Sequence, residues 1–285
     1  GTSTPYFVYT HGMLDPWFQK DKSRRLKAIR NYFYWHLIEK KVINNADGLL
    51  FTCEEELFLA KTTFIGYNPK KEINIGYGIE APPSYSEALK ISFKERYNLE
   101  KDPYLLFLSR IHPKKGLDLL LIAYYELLNN IDFSSKLPNL VIAGPGIETE
   151  YGTKMLNYLE ENPIVKAKVQ FVGHLSGDAK WGAIYGCDAF ILPSHQENFG
   201  IAVAEALACS KPVLITNKIN IYREIEKGGA GIINDNNLEG TILNLKKWLT
   251  LNNDDKEKMA LNAYLVYKTN FNVNNAAKRL KEVIQ

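Results

Sequence analysis

Two glutamates, Glu197 and Glu205, stand eight positions apart in the stretch SHQENFGIAVAEALACSKPV, with only uncharged residues between them. The stretch follows the apolar run Ala189-Phe190-Ile191-Leu192-Pro193, which reads as a buried strand, and Gly200 permits the turn into a helix over residues 201–208. A solvated helix normally mixes lysine and arginine with its acids, and this one does not. A carboxylate accepts hydrogen bonds from neighbouring hydroxyls in pairs, so the two glutamates suit a polyhydroxylated ligand. The helix start between them offers free N–H groups and the positive end of a dipole, which suits an anion.

A second cluster supplies cations. Ser109-Arg110-Ile111-His112-Pro113-Lys114-Lys115-Gly116 follows directly on the apolar run from Tyr104 to Leu108. Arg110 presents a rigid fork for phosphate oxygens. Lys115 is a point charge at a helix start, where the dipole disfavours a cation unless an anion sits beside it. Alone, this loop reads equally as an ordinary basic turn. Two further loops follow apolar runs. Ala143-Gly144-Pro145-Gly146 is either a ligand cradle or a turn. Gly173-His174-Leu175-Ser176 places Ser176 to cap a helix, with backbone groups that could bracket a base; a lone histidine such as His174 is more often structural. Phosphate on Arg110, Lys115 and the helix start, with hydroxyls on Glu197 and Glu205, describes a nucleotide-sugar site. Reading Glu197 as a glycosidase nucleophile would leave the phosphate pocket without a purpose.

These loops need strand ends to carry them. Apolar runs predict strands over 6–10, 48–52, 104–109, 140–144, 169–173, 189–192, 212–216 and 231–233. Helical patterns lie near 24–45, 53–63, 116–130, 149–161, 177–186, 200–209, 219–228 and 238–250. Alternation of this kind predicts an α/β protein with doubly wound parallel sheets and right-handed crossovers. Ligands in such sheets sit at the carboxyl ends of the strands. Residues 76–103 carry the glycines and prolines of a linker. The expected domains are therefore 1–80, 81–260, and a C-terminal helical segment, 261–285, crossing back to the first. The second domain holds six predicted strands. The first has no more than about three, too few to cover its edges, so its N-terminal half is expected to precede residue 1.

Composition sets the class. The 285 residues are 46% hydrophobic and 24% charged, as in an ordinary globular protein. A net charge of +3 does not indicate a nucleic-acid partner. No apolar run approaches the roughly 20 residues of a membrane span, and no secretory signal pattern is present. Cys53, Cys187 and Cys209 are odd in number and set among apolar neighbours, as buried thiols of a reducing compartment would be. The cytoplasm is the default location. The basic segment over residues 20–30, followed by Tyr32-Phe33-Tyr34-Trp35, adds an expected peripheral contact with the inner face of a membrane. A solvated helix with its aromatics packed inward explains that segment equally well. No Asp-X-Asp metal motif is found, and no Gly-X-Gly-X-X-Gly follows a strand, which argues against a dinucleotide oxidoreductase.

The combination of motifs resembles the retaining glycosyltransferases of family 4 (glycosyltransferase group 1), whose GT-B architecture sets two Rossmann-like domains about a cleft. Their glutamate–seven–glutamate motif is similar to Glu197 through Glu205, their arginine–lysine loop to Arg110 and Lys115, and their N-domain histidine–glycine to His11-Gly12. The resemblance covers residues 6 to about 250, and the double-glutamate motif with Phe199-Gly200 is its specific part. It implies that Glu197 contacts the donor sugar and that Arg110 and Lys115 neutralise the departing diphosphate. It also implies that His11 approaches the sugar from the first domain. Glu205 would bind the ribose and Leu175 the base through its backbone, with Gly144, Asn198, Phe199, Gly200 and Ile201 completing the donor site. The glycine-rich loop such enzymes carry near their N-terminus is not in this chain. The expected activity is retaining, metal-independent transfer of a hexose to a saccharide or lipid-linked hydroxyl, in polysaccharide or glycolipid assembly. The donor is expected to be a UDP-sugar on family frequency, with GDP- and ADP-sugars as the other choices, and no cofactor is expected. The competing readings are a nucleotide-sugar epimerase or hydrolase of the same fold, and a non-catalytic nucleotide-sugar-binding module.

Overall fold

A computed structural model describes residues 4–21, 24–99 and 102–285; Lys22 and Ser23 of the basic segment lie outside the described residues. The chain divides into two compact units, Gly1–Gly78 with Asn270–Gln285, and Ile79–Thr269. Each contains one parallel sheet. The architecture is α/β throughout.

The first unit holds β1 (Phe7–Tyr9), β2 (Gly48–Phe51) and β3 (Glu72–Asn74), paired in that order and parallel. The short strand β3 has no periodic signal: Lys70 and Lys71 precede it, it opens on Glu72, and only Ile73 within it and Ile75 after it are apolar. The core gathers Leu14, Trp35, Ile43, Leu49 and Phe51. Trp35 stacks on Phe64 with ring centroids 4.6 Å apart and donates from its indole N–H to the Ile65 carbonyl at 3.1 Å. Of the aromatic run 32–35, only Trp35 packs inward; Tyr32, Phe33 and Tyr34 are exposed. The C-terminal helix Val273–Ile284 belongs to this unit, where Arg279 donates to the Ile75 carbonyl at 2.6 Å.

The second unit holds β4 (Tyr104–Leu108), β5 (Asn139–Ala143), β6 (Val169–Gly173), β7 (Ala189–Leu192), β8 (Val213–Thr216) and β9 (Gly231–Asn234). Their spatial order is β6-β5-β4-β7-β8-β9, all parallel. The central strands β4, β7 and β8 are buried along their whole length, because helices cover both faces; their sequences YLLFL, AFIL and VLIT are correspondingly apolar without alternation. The chain runs outward from β4 to β6, then returns to the other side of β4 as β7. That reversal opens a crevice at the carboxyl ends of β4 and β7.

Two sequence expectations are corrected here. The segment read as a linker, 76–103, contains the helix Glu87–Arg96, capped by Ser86, whose hydroxyl accepts from the Leu89 N–H. The helix packs on the helix Gly177–Gly186, where Gly182 gives room: a Cβ there would lie 2.4 Å from the Leu89 carbonyl oxygen. With few apolar residues of its own, it is stabilised by this tertiary contact and gives little periodic signal. The crossing segment is also shorter than 261–285: residues 261–269 stay with the second unit, to which the helix Asn253–Val266 belongs.

Candidate functional site

The β4 loop and the β7 loop meet at the crevice. Gly116 ends the β4 loop with φ +69°, and a Cβ there would meet the Pro193 carbonyl oxygen at 2.1 Å, so only glycine lets the two backbones come this close. The Lys114 carbonyl accepts from the His195 N–H at 2.8 Å and from the Ser194 hydroxyl at 2.9 Å. Gly144, with φ +144°, brings the β5 loop equally close to Ser109: an added Cβ would fall 1.9 Å from the Ser109 carbonyl oxygen. The loop carrying Arg110 is thus fixed on both sides by backbone contact.

This packing brings Lys115 and Glu197 together as an ion pair. Lys115 is buried, at 8% exposure. Burial, with the neighbouring charges of Lys114 and Arg110, lowers its ammonium to about 8. The same surroundings lower His112, whose Nδ1 accepts the Lys114 N–H at 3.1 Å and so shapes the turn. Arg110 is exposed and makes no ion pair or hydrogen bond among the described residues. A guanidinium fixed on a stiff loop without a partner can take an anion at little reorganisation cost.

Glu197 is held from its backbone as well: its N–H donates to the Lys218 carbonyl at 2.9 Å and its carbonyl accepts from Asn220 at 3.0 Å. Asn198 accepts from the Asn220 side chain at 3.4 Å. Gly200, at φ +76°, turns the chain into the helix Ile201–Ala208, and its side-chain-free Cα sits against Ile219 and Val203. Phe199 is buried, so its ring serves packing, whereas Ile201 is exposed. Glu205 does not share a partner with Glu197. It pairs with Lys180 at 2.8 Å, a residue to which sequence reasoning gave no role. Leu175 is buried, while Gly173, His174, Ser176 and Gly177 around it are exposed. Ser176 occupies the N-cap position but makes no capping hydrogen bond, contrary to expectation.

In the first unit, His11 and Gly12 follow β1 with φ of 46° and 81°. The His11 ring lies 4.0 Å from that of Tyr9 and edge-on to Tyr77 at 5.7 Å, centroid to centroid. Glu56, 1% exposed, braces this turn. It accepts from the Gly12 N–H, from the Thr10 hydroxyl at 2.7 Å and from the Thr52 N–H at 2.7 Å. The sequence shows three consecutive glutamates at a helix start and cannot say which one turns inward. Among the described residues no group of three or more His, Cys, Asp or Glu is disposed to hold a metal, and no helix is long and apolar enough to cross a membrane. The three cysteines are buried.

A doubly wound sheet with its charged loops at the strand reversal defines a nucleotide-binding class of α/β protein. The model of the family described as glycosyl transferases group 1 matches residues 90–266, more than half of the chain. The chain belongs to that family. An uncharacterised glycosyltransferase of Methanocaldococcus jannaschii is 29% identical over 166 residues, covering 57% of this chain and 42% of that protein. Among solved structures, Anabaena HepE in complex with UDP-glucose superposes with a TM-score of 0.77 at 16% identity, covering 98% of this chain and 72% of that one. WaaG, a glycosyltransferase involved in lipopolysaccharide biosynthesis, gives 0.72 at 16% identity, with 97% and 74% covered. At such identities the likeness establishes the fold, which is GT-B. The chain spans about two fifths of the length of the curated relatives it matches.

Proposed function

We propose that this chain carries the donor site of a retaining glycosyltransferase of family 4, which transfers a hexose from a nucleoside diphosphate sugar to a saccharide or lipid-linked hydroxyl. One observation carries the reading: at the sheet edge where the strand order reverses, the buried Lys115 pairs with Glu197 and lies within the field of the free guanidinium of Arg110. Two cations fixed there suit a diphosphate, and a carboxylate beside them suits sugar hydroxyls. Uridine is the proposed base, in keeping with the UDP-glucose bound by HepE.

The reaction breaks the anomeric C–O bond to the diphosphate, whose oxygen keeps the electron pair. Arg110, Lys115 and the helix start at Gly200 stabilise the charge that develops there. The acceptor oxygen bonds to the anomeric carbon on the face the diphosphate leaves, and its proton passes to the departing phosphate. Retention follows from attack on that face. Because the protein's own cations meet the diphosphate, we propose that no metal is required. His11 is the residue of the first unit that the resemblance assigns to transfer.

Titration calorimetry of UDP, GDP and ADP in EDTA, on the wild type and Arg110→Ala, tests the donor site. Tight binding of one nucleotide, at least tenfold weaker in the variant, is expected from a charge-assisted hydrogen bond of about 1.5–3 kcal/mol. Binding that survives Arg110→Ala unchanged, or that needs a divalent cation, refutes it. Product analysis with an acceptor separates transfer from epimerisation and hydrolysis.

The membrane contact is part of this proposal. The helix Arg25–Tyr34 and the turn after it expose Leu26, Ile29, Phe33 and Leu37 at 84%, 56%, 58% and 72%, spaced to form one apolar stripe beside Arg25, Lys27 and Arg30. Each cation near an anionic leaflet contributes about 1 kcal/mol. Arg24 is turned elsewhere, its guanidinium 4.9 Å from the Phe18 ring. Sedimentation with phosphatidylglycerol vesicles should therefore be weakened by Arg25→Glu with Lys27→Glu; absence of wild-type binding disposes of the contact.

A further inference from the structure

Lys180 stands in the first turn of the helix Gly177–Gly186, where the dipole opposes a cation. The structure holds it there by two contacts. Its ammonium pairs with Glu205 Oε1 at 2.8 Å and lies 4.1 Å from the centroid of the Trp181 ring. Both partners of the ion pair are sheltered, with side chains 23% and 16% exposed, so water screens the pair less than at an open surface. Glu205 Oε2 takes part in no hydrogen bond among the described residues.

The pair also joins two regions of the site. The helix that carries Lys180 begins immediately after the exposed loop 173–177 at the end of β6. Its glycines Gly173 and Gly177 have positive φ, and nothing lies within 4 Å of where a Cβ would stand, so the backbone there is open. Glu205 sits on the helix that follows β7. Lys180 therefore ties the Glu205 carboxylate to the helix that starts at the β6 loop and occupies one of its oxygens, while the other has no hydrogen-bond partner among the described residues.

We propose that Lys180 is a positioning residue for the nucleoside end of the donor: it fixes the Glu205 carboxylate in the rotamer in which Oε2 accepts the ribose hydroxyls. A carboxylate free to rotate loses part of any hydrogen bond to the entropy of fixing it; one already clamped does not. The role is one of ribose selectivity and makes Lys180 neither a phosphate ligand nor a catalytic residue. It rests on the assignment of Glu205 to the ribose.

The test compares the dissociation constants of UDP and its 2′- and 3′-deoxy analogues, measured by calorimetry on the wild type, Glu205→Gln, Lys180→Met and Lys180→Arg. The deoxy-to-ribose ratio is internal to each protein, so partial unfolding of a variant cancels from it. In the wild type at least one analogue should bind about tenfold or more weakly, as a hydrogen bond to a charged group implies. Lys180→Met should bring that ratio to within about threefold of unity, and Lys180→Arg, which can re-form the pair, should restore most of it. A wild-type ratio retained in Lys180→Met overturns the proposal while leaving Glu205 at the ribose. A ratio near unity in the wild type, or one unchanged in Glu205→Gln, overturns the ribose assignment itself and the proposal with it.

Discussion

Lys115 gives the proposed donor site a pH dependence that can be worked out in advance. In the free protein its ammonium is lowered to about 8 by burial and by the charges of Lys114 and Arg110. A diphosphate binds the charged form, so below about 8 the site is ready and above it each further pH unit removes a larger fraction of competent protein. A charge-assisted hydrogen bond of about 1.5–3 kcal/mol raises the bound-state value by about one to two units, at 1.36 kcal/mol per unit. UDP affinity should hence be flat from about pH 7 to about pH 8, then fall by a total of roughly tenfold to a hundredfold by about pH 10. The phosphate itself ionises near pH 6, outside this window. The uracil ring loses a proton within it, so the control is Lys115→Arg: guanidinium stays charged, and the base titrates identically in both proteins. Calorimetric titration in matched buffers reads the difference between the two curves. Parallel curves for wild type and Lys115→Arg would show that Lys115 does not meet the phosphate.

Three further outcomes are expected. Gly144→Ala places a methyl 1.9 Å from the Ser109 carbonyl oxygen; strain of about 1–3 kcal/mol should lower the melting temperature by several degrees and weaken UDP binding through the displaced Arg110 loop, and an unchanged melt would mean the two loops are not fixed against each other. Arg110→Ala removes a side chain with no partner among the described residues, so its melting temperature should match the wild type within the change that about 0.5 kcal/mol produces, a separation of stability from binding that a structural arginine would not give. Burial pushes the Cys187 and Cys209 thiols up to about 12, so at pH 8 both remain protonated and native protein should resist alkylation until denaturant is added; rapid labelling of either in the native state would contradict their burial.

Much of the second unit was legible because its strands are buried on both faces. Runs such as YLLFL and AFIL have no other stable placement than a covered parallel sheet, and the loops that follow them fall at one edge by topology. Legibility failed where an element owes its form to a neighbour. The helix Glu87–Arg96 is stabilised by a glycine ninety residues on, and β3 by its pairing with Leu49, Leu50 and Phe51. Trp35 and its exposed neighbours in the aromatic run could not be told apart, since residue type alone does not say which face is covered.

At the candidate site the same division holds. The residue types and their spacing determined by themselves that two carboxylates and two cations would gather at strand ends, because a parallel sheet of covered strands sends every strand-end loop to the same edge. Which charges touch was decided only by the tertiary structure. Lys115 meets Glu197 because Gly116 lets its backbone reach Pro193, and Glu205 meets Lys180, a residue of another helix that lies outside the motif. Burial is likewise a property of the packed chain: Lys115 and Lys114 are adjacent in sequence, and only the fold made one of them a sheltered cation. An ion pair depends on distances of a few ångströms between segments the sequence leaves far apart, and no local pattern encodes those distances.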